Sequence, residues 1–174
     1  MDKIRKKIAG QEYDFLRETP DLRGCIYLTL SGSYGYGTNI STSDVDLRGV
    51  LVEQPQYLYG LAGYEQFEDL ATDTVIYGLK KYVSLCVQAN PNALELLGTD
   101  EDCIILQTEA GHLLRENAHL FLSQRVIGSF GNYASAQLRR FCNALCHDQY
   151  SEEEQEAHLA ATLHGQIEHF NRTY

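Results

Sequence analysis

Apolar residues in the first half of the chain follow two kinds of pattern, one typical of strands and one typical of helices. Short apolar runs that end at turn residues predict strands at 25–30, 45–52 and 74–77. Apolar residues three and four positions apart predict helices at 4–16 and 79–87. This order of elements predicts an α/β core in which helices pack on a small sheet.

The connections between these elements contain residues that favour turns and helix starts. Proline and glycine within 54–63 predict a loop between the second and third strands. Asn92 is followed three residues later by Glu95, which is the spacing of a capping box. We therefore expect another helix to begin at Asn92.

In the second half of the chain, apolar residues recur only at the spacing that is typical of helices. Apolar residues recur at helical spacing from about Ile104 onward, and a longer stripe runs through 126–145. A final amphipathic pattern begins at Ser151. The sequence predicts a core at 1–100 and a helical region at 101–174.

Composition limits the kinds of partner that the protein can bind. The 174 residues are 44% hydrophobic and 22% charged, as in an ordinary globular protein. The formal net charge is −10, whereas strong nucleic-acid binding rests largely on Lys and Arg that neutralise phosphates. We therefore expect no non-specific DNA binding, and any nucleic-acid substrate would be a short end or would need a partner protein.

Targeting signals are not evident in the sequence. No apolar run approaches the ~20 residues of a membrane span, and no apolar segment follows the charged start of the chain. The five cysteines are an odd number without the spacing of a disulfide framework, which is typical of reduced thiols. These observations predict a cytoplasmic protein that does not bind membranes.

A pair of aspartates at the second predicted strand carries the strongest chemical signal. Asp44 and Asp46 are separated by one apolar residue. Residues two apart in a strand point to the same face, so the two carboxylates lie side by side. Like charges this close repel unless a cation lies between them, and a divalent ion is the usual solution.

A glycine-serine turn precedes the aspartates and suits phosphate binding. Gly32 and Ser33 come one residue after the first predicted strand, and Asp44 follows eleven residues after Ser33. Such a turn, ahead of a short helix, offers backbone N–H groups and a hydroxyl to a phosphate. The turn and the aspartates together predict a metal-dependent nucleotide site.

These motifs resemble a known family. Gly32-Ser33 followed by Asp44-Val45-Asp46 on the next strand resembles the signature of the DNA polymerase beta nucleotidyltransferase superfamily. Within that superfamily, the segments 43–50, 73–82 and 90–97 are similar to the RNA repair pathway polymerase-beta-like family. The resemblance is good over 25–100 and looser afterwards. It implies a small mixed nucleotidyltransferase sheet flanked by helices, an α/β (α+β) fold, with a helical C-terminal region that is shorter than in fuller members.

The resemblance also implies an activity and its cofactors. A nucleotidyltransferase moves a nucleoside monophosphate from a nucleoside triphosphate to an acceptor hydroxyl and releases pyrophosphate, with Mg²⁺ or Mn²⁺ bound by carboxylates. Asp44 and Asp46 would be metal ligands and catalytic residues, while Gly32 and Ser33 would bind the nucleotide phosphates.

A third carboxylate completes such a site, and Asp73 is our choice for it. Asp73 begins the third predicted strand, and Glu68 and Asp69 are its rivals. The resemblance implies that this carboxylate binds the catalytic ion and draws the proton from the nucleophile. Arg48 shares the face of the two aspartates, where it either binds the triphosphate or neutralises a carboxylate.

Two classes of function remain at this point. The first is an active nucleotidyltransferase whose acceptor is an RNA end, a protein or a small molecule. The second is a non-catalytic module of the same fold, nucleotide-binding, antitoxin-like or regulatory. The paired aspartates favour the enzyme, because a module freed from catalysis has little use for paired charge.

Overall fold

The computed structural model describes residues 2–40 and 42–147. Five strands are β1 (Cys25–Leu30), β2 (Leu47–Leu51), β3 (Gln66–Asp69), β4 (Thr74–Gly78) and β5 (Ile104–Gln107). The α-helices of the described ranges are α1 (Asp2–Ile8), α2 (Phe15–Glu18), α3 (Gly32–Gly35), α4 (Pro55–Tyr59), α5 (Leu79–Val87), α6 (Pro91–Leu97), α7 (Glu109–Glu116) and α8 (Arg125–His147). Met1–Phe130 is one compact unit, and the remainder of α8 belongs to a second.

The strands form one mixed sheet, which confirms the predicted fold class. Their spatial order is β3-β4-β2-β1-β5, and only β2 and β4 run parallel to each other among the described pairs. The parallel pairing sets Leu47 opposite Thr74. Because this register continues backward, it places the residues just before the two strands, Asp46 and Asp73, next to each other.

Both faces of the sheet are covered by helices. Alternate strand residues point to opposite faces, so the sheet contributes to two hydrophobic clusters. One cluster joins the sheet residues Leu28, Leu30, Leu47 and Ile76 to the N-terminal residues Ile8, Tyr13 and Leu22. The other joins Tyr27 and Val50 to Tyr82, Cys86, Ala93 and Leu97 from the segment that contains α5 and α6. The sheet is therefore the middle layer of the first unit.

The prediction of helix from Ile104 onward is wrong at its start. Residues 104–107 form β5, which pairs with β1 and sets Thr29 opposite Ile104. A short apolar run fits a strand and a buried helix equally well, and the free edge of β1 supplies the hydrogen bonds that decide the outcome. Helix begins only at α7, where the Thr108 side chain accepts a hydrogen bond from the Gly111 N–H group.

Three other predictions differ from the structure in detail. The predicted helix at 4–16 is broken at Gly10, whose backbone is extended. The predicted loop at 54–63 contains α4, and β3 was not predicted. Asn90, rather than Asn92, caps α6, because its Oδ1 accepts from the Ala93 N–H group at 3.2 Å.

The long helical stripe at 126–145 is confirmed as α8. The predicted helix that begins at Ser151 lies outside the described residues. Within 2–40 and 42–147, no helix is both long and apolar enough to cross a membrane.

Candidate functional site

The glycine-serine turn lies directly against one of the paired aspartates. β1 ends at Leu30, and Gly32 begins α3 with a left-handed φ of +55°. A Cβ atom at Gly32 would lie 1.9 Å from Oδ2 of Asp46. The Ser31 N–H group also donates to the Asp46 carbonyl oxygen at 2.9 Å. Only glycine permits both this conformation and this close approach.

Ser33 has an unused hydroxyl at this turn. Its carbonyl oxygen accepts from the Thr38 N–H group at 2.9 Å, which closes the loop after α3. Its side-chain oxygen has no hydrogen bond to any residue that the structure describes. The half-buried hydroxyl is therefore available to a ligand.

The two aspartates lie just before β2, which begins at Leu47, two residues after the start of the strand predicted at 45–52. Val45 and Leu47 are buried, whereas Asp46 is half-buried and Asp44 is exposed. This alternation continues the period of two into the segment before the strand. Asp44 and Asp46 therefore share the polar side of this segment, opposite the apolar core.

Asp46 and Asp73 are in direct contact. The parallel pairing of β2 and β4 brings them together, and the Leu47 N–H group donates to the Asp73 carbonyl oxygen at 3.2 Å. Burial raises the pKa of the Asp46 carboxyl above its ordinary value, and the hydrogen bond and charge of Asp73 raise it further. The nearby Asp73 carboxylate therefore favours the protonated form of Asp46 when no cation lies between them.

Asp73 also forms an ion pair with Arg48. The Arg48 Nη2 group donates to Asp73 Oδ1 at 2.9 Å, and Nη1 donates to the Asp73 carbonyl oxygen. Burial works to raise the pKa of the Asp73 carboxyl, but the hydrogen bond from Asp46 and the Arg48 charge outweigh it and lower that pKa. Arg48 therefore neutralises a carboxylate in this structure, and its contact with a nucleotide stays a prediction.

The rival carboxylates have other surroundings. Asp69 Oδ2 accepts from the Thr72 N–H group at 3.0 Å and from its hydroxyl at 2.7 Å, which closes the turn between β3 and β4. Glu68 is exposed on β3, where Gln66 donates to it at 3.4 Å. Of the three candidates, Asp73 alone has a recorded contact with the paired aspartates.

The donor set suits a hard divalent cation. Asp46 and Asp73 bring two carboxylates together, and this proximity helps to raise the pKa of Asp46. A cation between the two carboxylates would lower that pKa again. Within the described part of the chain, no group of three or more His, Cys, Asp or Glu side chains is gathered closely enough to hold a metal ion. Asp44 would have to join the other two carboxylates when a metal binds.

A pocket that the sequence did not predict opens beside the turn. It has a volume of about 250 Å³ and lies between α3, which contributes Gly32 and Gly35, and the end of α6. Tyr36 and Glu95 face each other across it, and the Tyr36 hydroxyl donates to Glu95 Oε2. In the sequence, Glu95 lies within the segment 90–97 that resembles the family. Its spacing from Asn92 suggested a capping role there, and not a place in a pocket.

A second cavity of about 370 Å³ lies beyond the opposite end of β2. Its wall includes Glu53, which is only 5% exposed. Glu53 Oε1 accepts from the Lys80 N–H group at 3.0 Å and so caps the first turn of α5. This arrangement explains the buried charge of Glu53 without a ligand.

Comparison with known proteins identifies the family. The sequence profile of the RNA repair pathway DNA polymerase beta family matches residues 9–164, a range that includes the turn, the aspartates and Glu95. Neither the curated proteins nor the solved structures gave a match. Because the profile covers most of the sequence, the chain belongs to the RNA repair pathway DNA polymerase beta family.

Proposed function

We propose that this protein is a metal-dependent nucleotidyltransferase that moves a nucleoside monophosphate from a nucleoside triphosphate to an acceptor hydroxyl. The family is of the DNA polymerase beta-like nucleotidyltransferase type, with a role of that class in RNA repair. The observation that best supports the proposal is the contact between Gly32 and Asp46. It joins a phosphate-binding turn to a carboxylate that is itself paired with Asp73.

The glycine-serine turn would bind the pyrophosphate portion of the nucleoside triphosphate, which is the leaving group. In the reaction, the acceptor hydroxyl loses its proton to solvent, its oxygen forms a bond to the α-phosphorus, and the bond from that phosphorus to the bridging oxygen breaks. Pyrophosphate leaves with the electron pair. The Ser33 hydroxyl and the Gly32 and Ser33 N–H groups would hold the β- and γ-phosphates, because a helix leaves its first N–H groups without partners inside the helix.

Asp44, Asp46 and Asp73 would hold Mg²⁺ or Mn²⁺. Carboxylate oxygens are the ligands that these ions prefer. When bound, the metal supplies positive charge that stabilises the entering and leaving oxygens of the phosphoryl group. The chain's own contribution is to bring two carboxylates together just before two adjacent parallel strands.

Asp73 would serve better as a ligand than as a base. Its lowered pKa keeps the carboxylate ionised near neutral pH, which metal binding requires. The same lowering makes it a weak acceptor of the nucleophile's proton. Its pairing with Arg48 also fixes its orientation.

An RNA end is the acceptor that we favour. The family belongs to an RNA repair pathway, and a net charge of −10 disfavours long contacts with a nucleic-acid backbone. A short end that enters the site would need few such contacts. A protein acceptor is the second choice. We also propose a cytoplasmic location, since Cys25, Cys86, Cys103 and Cys142 are free thiols.

A non-catalytic module of the same fold is the second candidate function. The ion pair between Arg48 and Asp73 favours it, because Arg48 neutralises a carboxylate that the catalytic ion would need as a ligand. The lack of a gathered group of three carboxylates in the described residues points the same way. Such a module would bind a nucleotide and release no pyrophosphate.

Three variants distinguish the two candidates. Asp44→Asn and Asp46→Asn should lose Mg²⁺-dependent triphosphate binding, as measured by calorimetry. Asp73→Asn should retain binding but lose pyrophosphate release in the presence of RNA, since two ligands remain for the nucleotide-bound ion. Asp102→Asn, at an exposed acid of another segment, is the control.

Unchanged metal-dependent affinity in both Asp44→Asn and Asp46→Asn would refute the site. Triphosphate binding by the wild-type protein, without pyrophosphate release from any nucleotide or RNA, would favour the non-catalytic module.

A further inference from the structure

The pocket between α3 and α6, the α3–α6 pocket, shares a residue with the phosphate-binding turn. Gly32 lines the pocket and also touches Asp46. A ligand whose phosphates contact the turn therefore has its remaining part at the mouth of this pocket. At about 250 Å³, the pocket is smaller than the ~300–1,000 Å³ typical of sites for whole ligands, and it suits one portion of a nucleotide.

The wall opposite the turn is held by buried hydrogen bonds. The Leu96 carbonyl oxygen accepts from the Tyr27 hydroxyl at 2.8 Å and from the Thr99 hydroxyl at 3.1 Å. Tyr27 is completely buried within the sheet core. These bonds fix the end of α6, and with it the backbone position of Glu95, relative to β1.

Glu95 determines what the pocket can bind. Its side chain is half-buried, and Oε2 accepts from the Tyr36 hydroxyl across the pocket. Oε1 has no hydrogen bond to any residue in the described ranges. An ionised carboxylate only accepts hydrogen bonds, so the complementary ligand group is a donor. Its negative charge also repels phosphate, which favours phosphates at the turn and an uncharged portion in the pocket.

We propose that the α3–α6 pocket holds the ribose of the nucleoside triphosphate and that Glu95 accepts a hydrogen bond from its 2′-hydroxyl. A sugar hydroxyl is an uncharged donor, and acidic side chains bind ribose hydroxyls in the same way in dinucleotide-binding folds. The protein is then selective for ribonucleotides over deoxyribonucleotides. This inference rests on the proposed function, because it requires the phosphates at Gly32 and Ser33.

Three ligands test the inference on the full chain without an acceptor. ATP, 2′-deoxyATP and tripolyphosphate are titrated in Mg²⁺ into the wild-type protein, Glu95→Leu and Glu95→Gln. Tripolyphosphate has the phosphates of the nucleotide but no sugar. Glu12→Leu, at an exposed glutamate of another segment, is the matched control, and thermal unfolding of each variant verifies folding.

We expect the wild-type protein and Glu12→Leu to bind ATP about tenfold more tightly than 2′-deoxyATP, as one lost hydrogen bond to a charged group predicts. Glu95→Leu should bind the two nucleotides equally and should bind tripolyphosphate as the wild type does. Glu95→Gln retains an acceptor oxygen and should restore part of the preference.

Two results would overturn the inference, and they differ in what else they overturn. If tripolyphosphate and both nucleotides bind the wild type, but Glu95→Leu leaves the ratio of the two nucleotide affinities unchanged, Glu95 does not read the ribose and the proposed function stands. If the wild type binds neither tripolyphosphate nor either nucleotide, the proposed function fails and the inference fails with it.

Discussion

Replacing Gly32 with alanine tests the contact on which the proposed site depends. Gly32 has a φ of +55°, and the added Cβ atom would lie 1.9 Å from Asp46 Oδ2. Gly37 offers a matched control in the same loop, with a φ of +66° and no atom within 4 Å of its would-be Cβ atom. The two substitutions therefore share the backbone strain, and only Gly32→Ala adds the collision with Asp46.

The structure provides a magnitude for each effect. A non-glycine residue in the left-handed region costs about 1–2 kcal/mol of the free energy of unfolding, and both variants should lose this amount. In Gly32→Ala, Oδ2 of Asp46 must also retreat by about 1.5 Å, from 1.9 Å to the 3.4 Å at which ordinary contact begins. Metal ligation tolerates about 0.2 Å, so this displacement removes Asp46 as a ligand. A misplacement of about 1 Å at a reacting centre costs on the order of 100-fold in rate.

Urea denaturation and calorimetry separate these effects. Both alanine variants should lose the unfolding free energy that the left-handed backbone costs, and Gly32→Ala should lose more because the Asp46 side chain must move. Gly32→Ala should in addition lose Mg²⁺-dependent triphosphate binding, while Gly37→Ala should bind as the wild type does. If Gly32→Ala binds the metal and nucleotide as well as Gly37→Ala does, the contact between the turn and Asp46 has no part in binding.

Three further predictions concern single side chains. Ser33→Ala should weaken triphosphate binding by roughly 1.5–3 kcal/mol, the value of one charge-assisted hydrogen bond, whereas a covalent nucleotidyl adduct trapped on Ser33 would contradict its binding role. Asp46→Asn should stabilise the metal-free protein at pH 7 by roughly 0.2–1 kcal/mol, because it removes the repulsion from Asp73. Burial and Asp73 raise the Asp46 pKa, so the free energy of unfolding of the wild type should fall as the pH rises through that pKa. Urea titrations from pH 4 to 7 should show this fall in the wild type and not in Asp46→Asn. Glu53→Ala should cost about 0.5–2 kcal/mol by removing the cap of α5, yet leave nucleotide affinity unchanged, since β2 separates it from Asp46; a loss of affinity would place Glu53 in the site.

The sequence was sufficient for the elements that hold the candidate site. The apolar run at 25–30 predicted β1, and the turn at Gly32 follows it directly. The alternation of apolar and acidic residues around Val45 predicted which side of the segment carries Asp44 and Asp46. These features depend on neighbours in the chain, and a local pattern describes such neighbours well.

Such local patterns could not predict the contacts between segments that are distant in the sequence. Asp73 reaches Asp46 only because β2 and β4 pair in parallel, and the sequence does not state that register. Arg48 binds Asp73 for the same reason. β5 was predicted as helix because three apolar residues have no distinct period, and the edge of β1 decides their conformation. The pocket at Glu95 likewise needs α3 and α6 to meet.

Transfer of the α-phosphate is the central claim, and two positions of a radioactive label test it most directly. The protein is incubated with an RNA end, Mg²⁺ and a nucleoside triphosphate labelled on the α- or the γ-phosphate, with Asp46→Asn as the inactive comparison. The account predicts that the α-label becomes attached to RNA while the γ-label appears only in pyrophosphate. Attachment of the γ-label to RNA, or release of the γ-label as single phosphate without transfer, would contradict it.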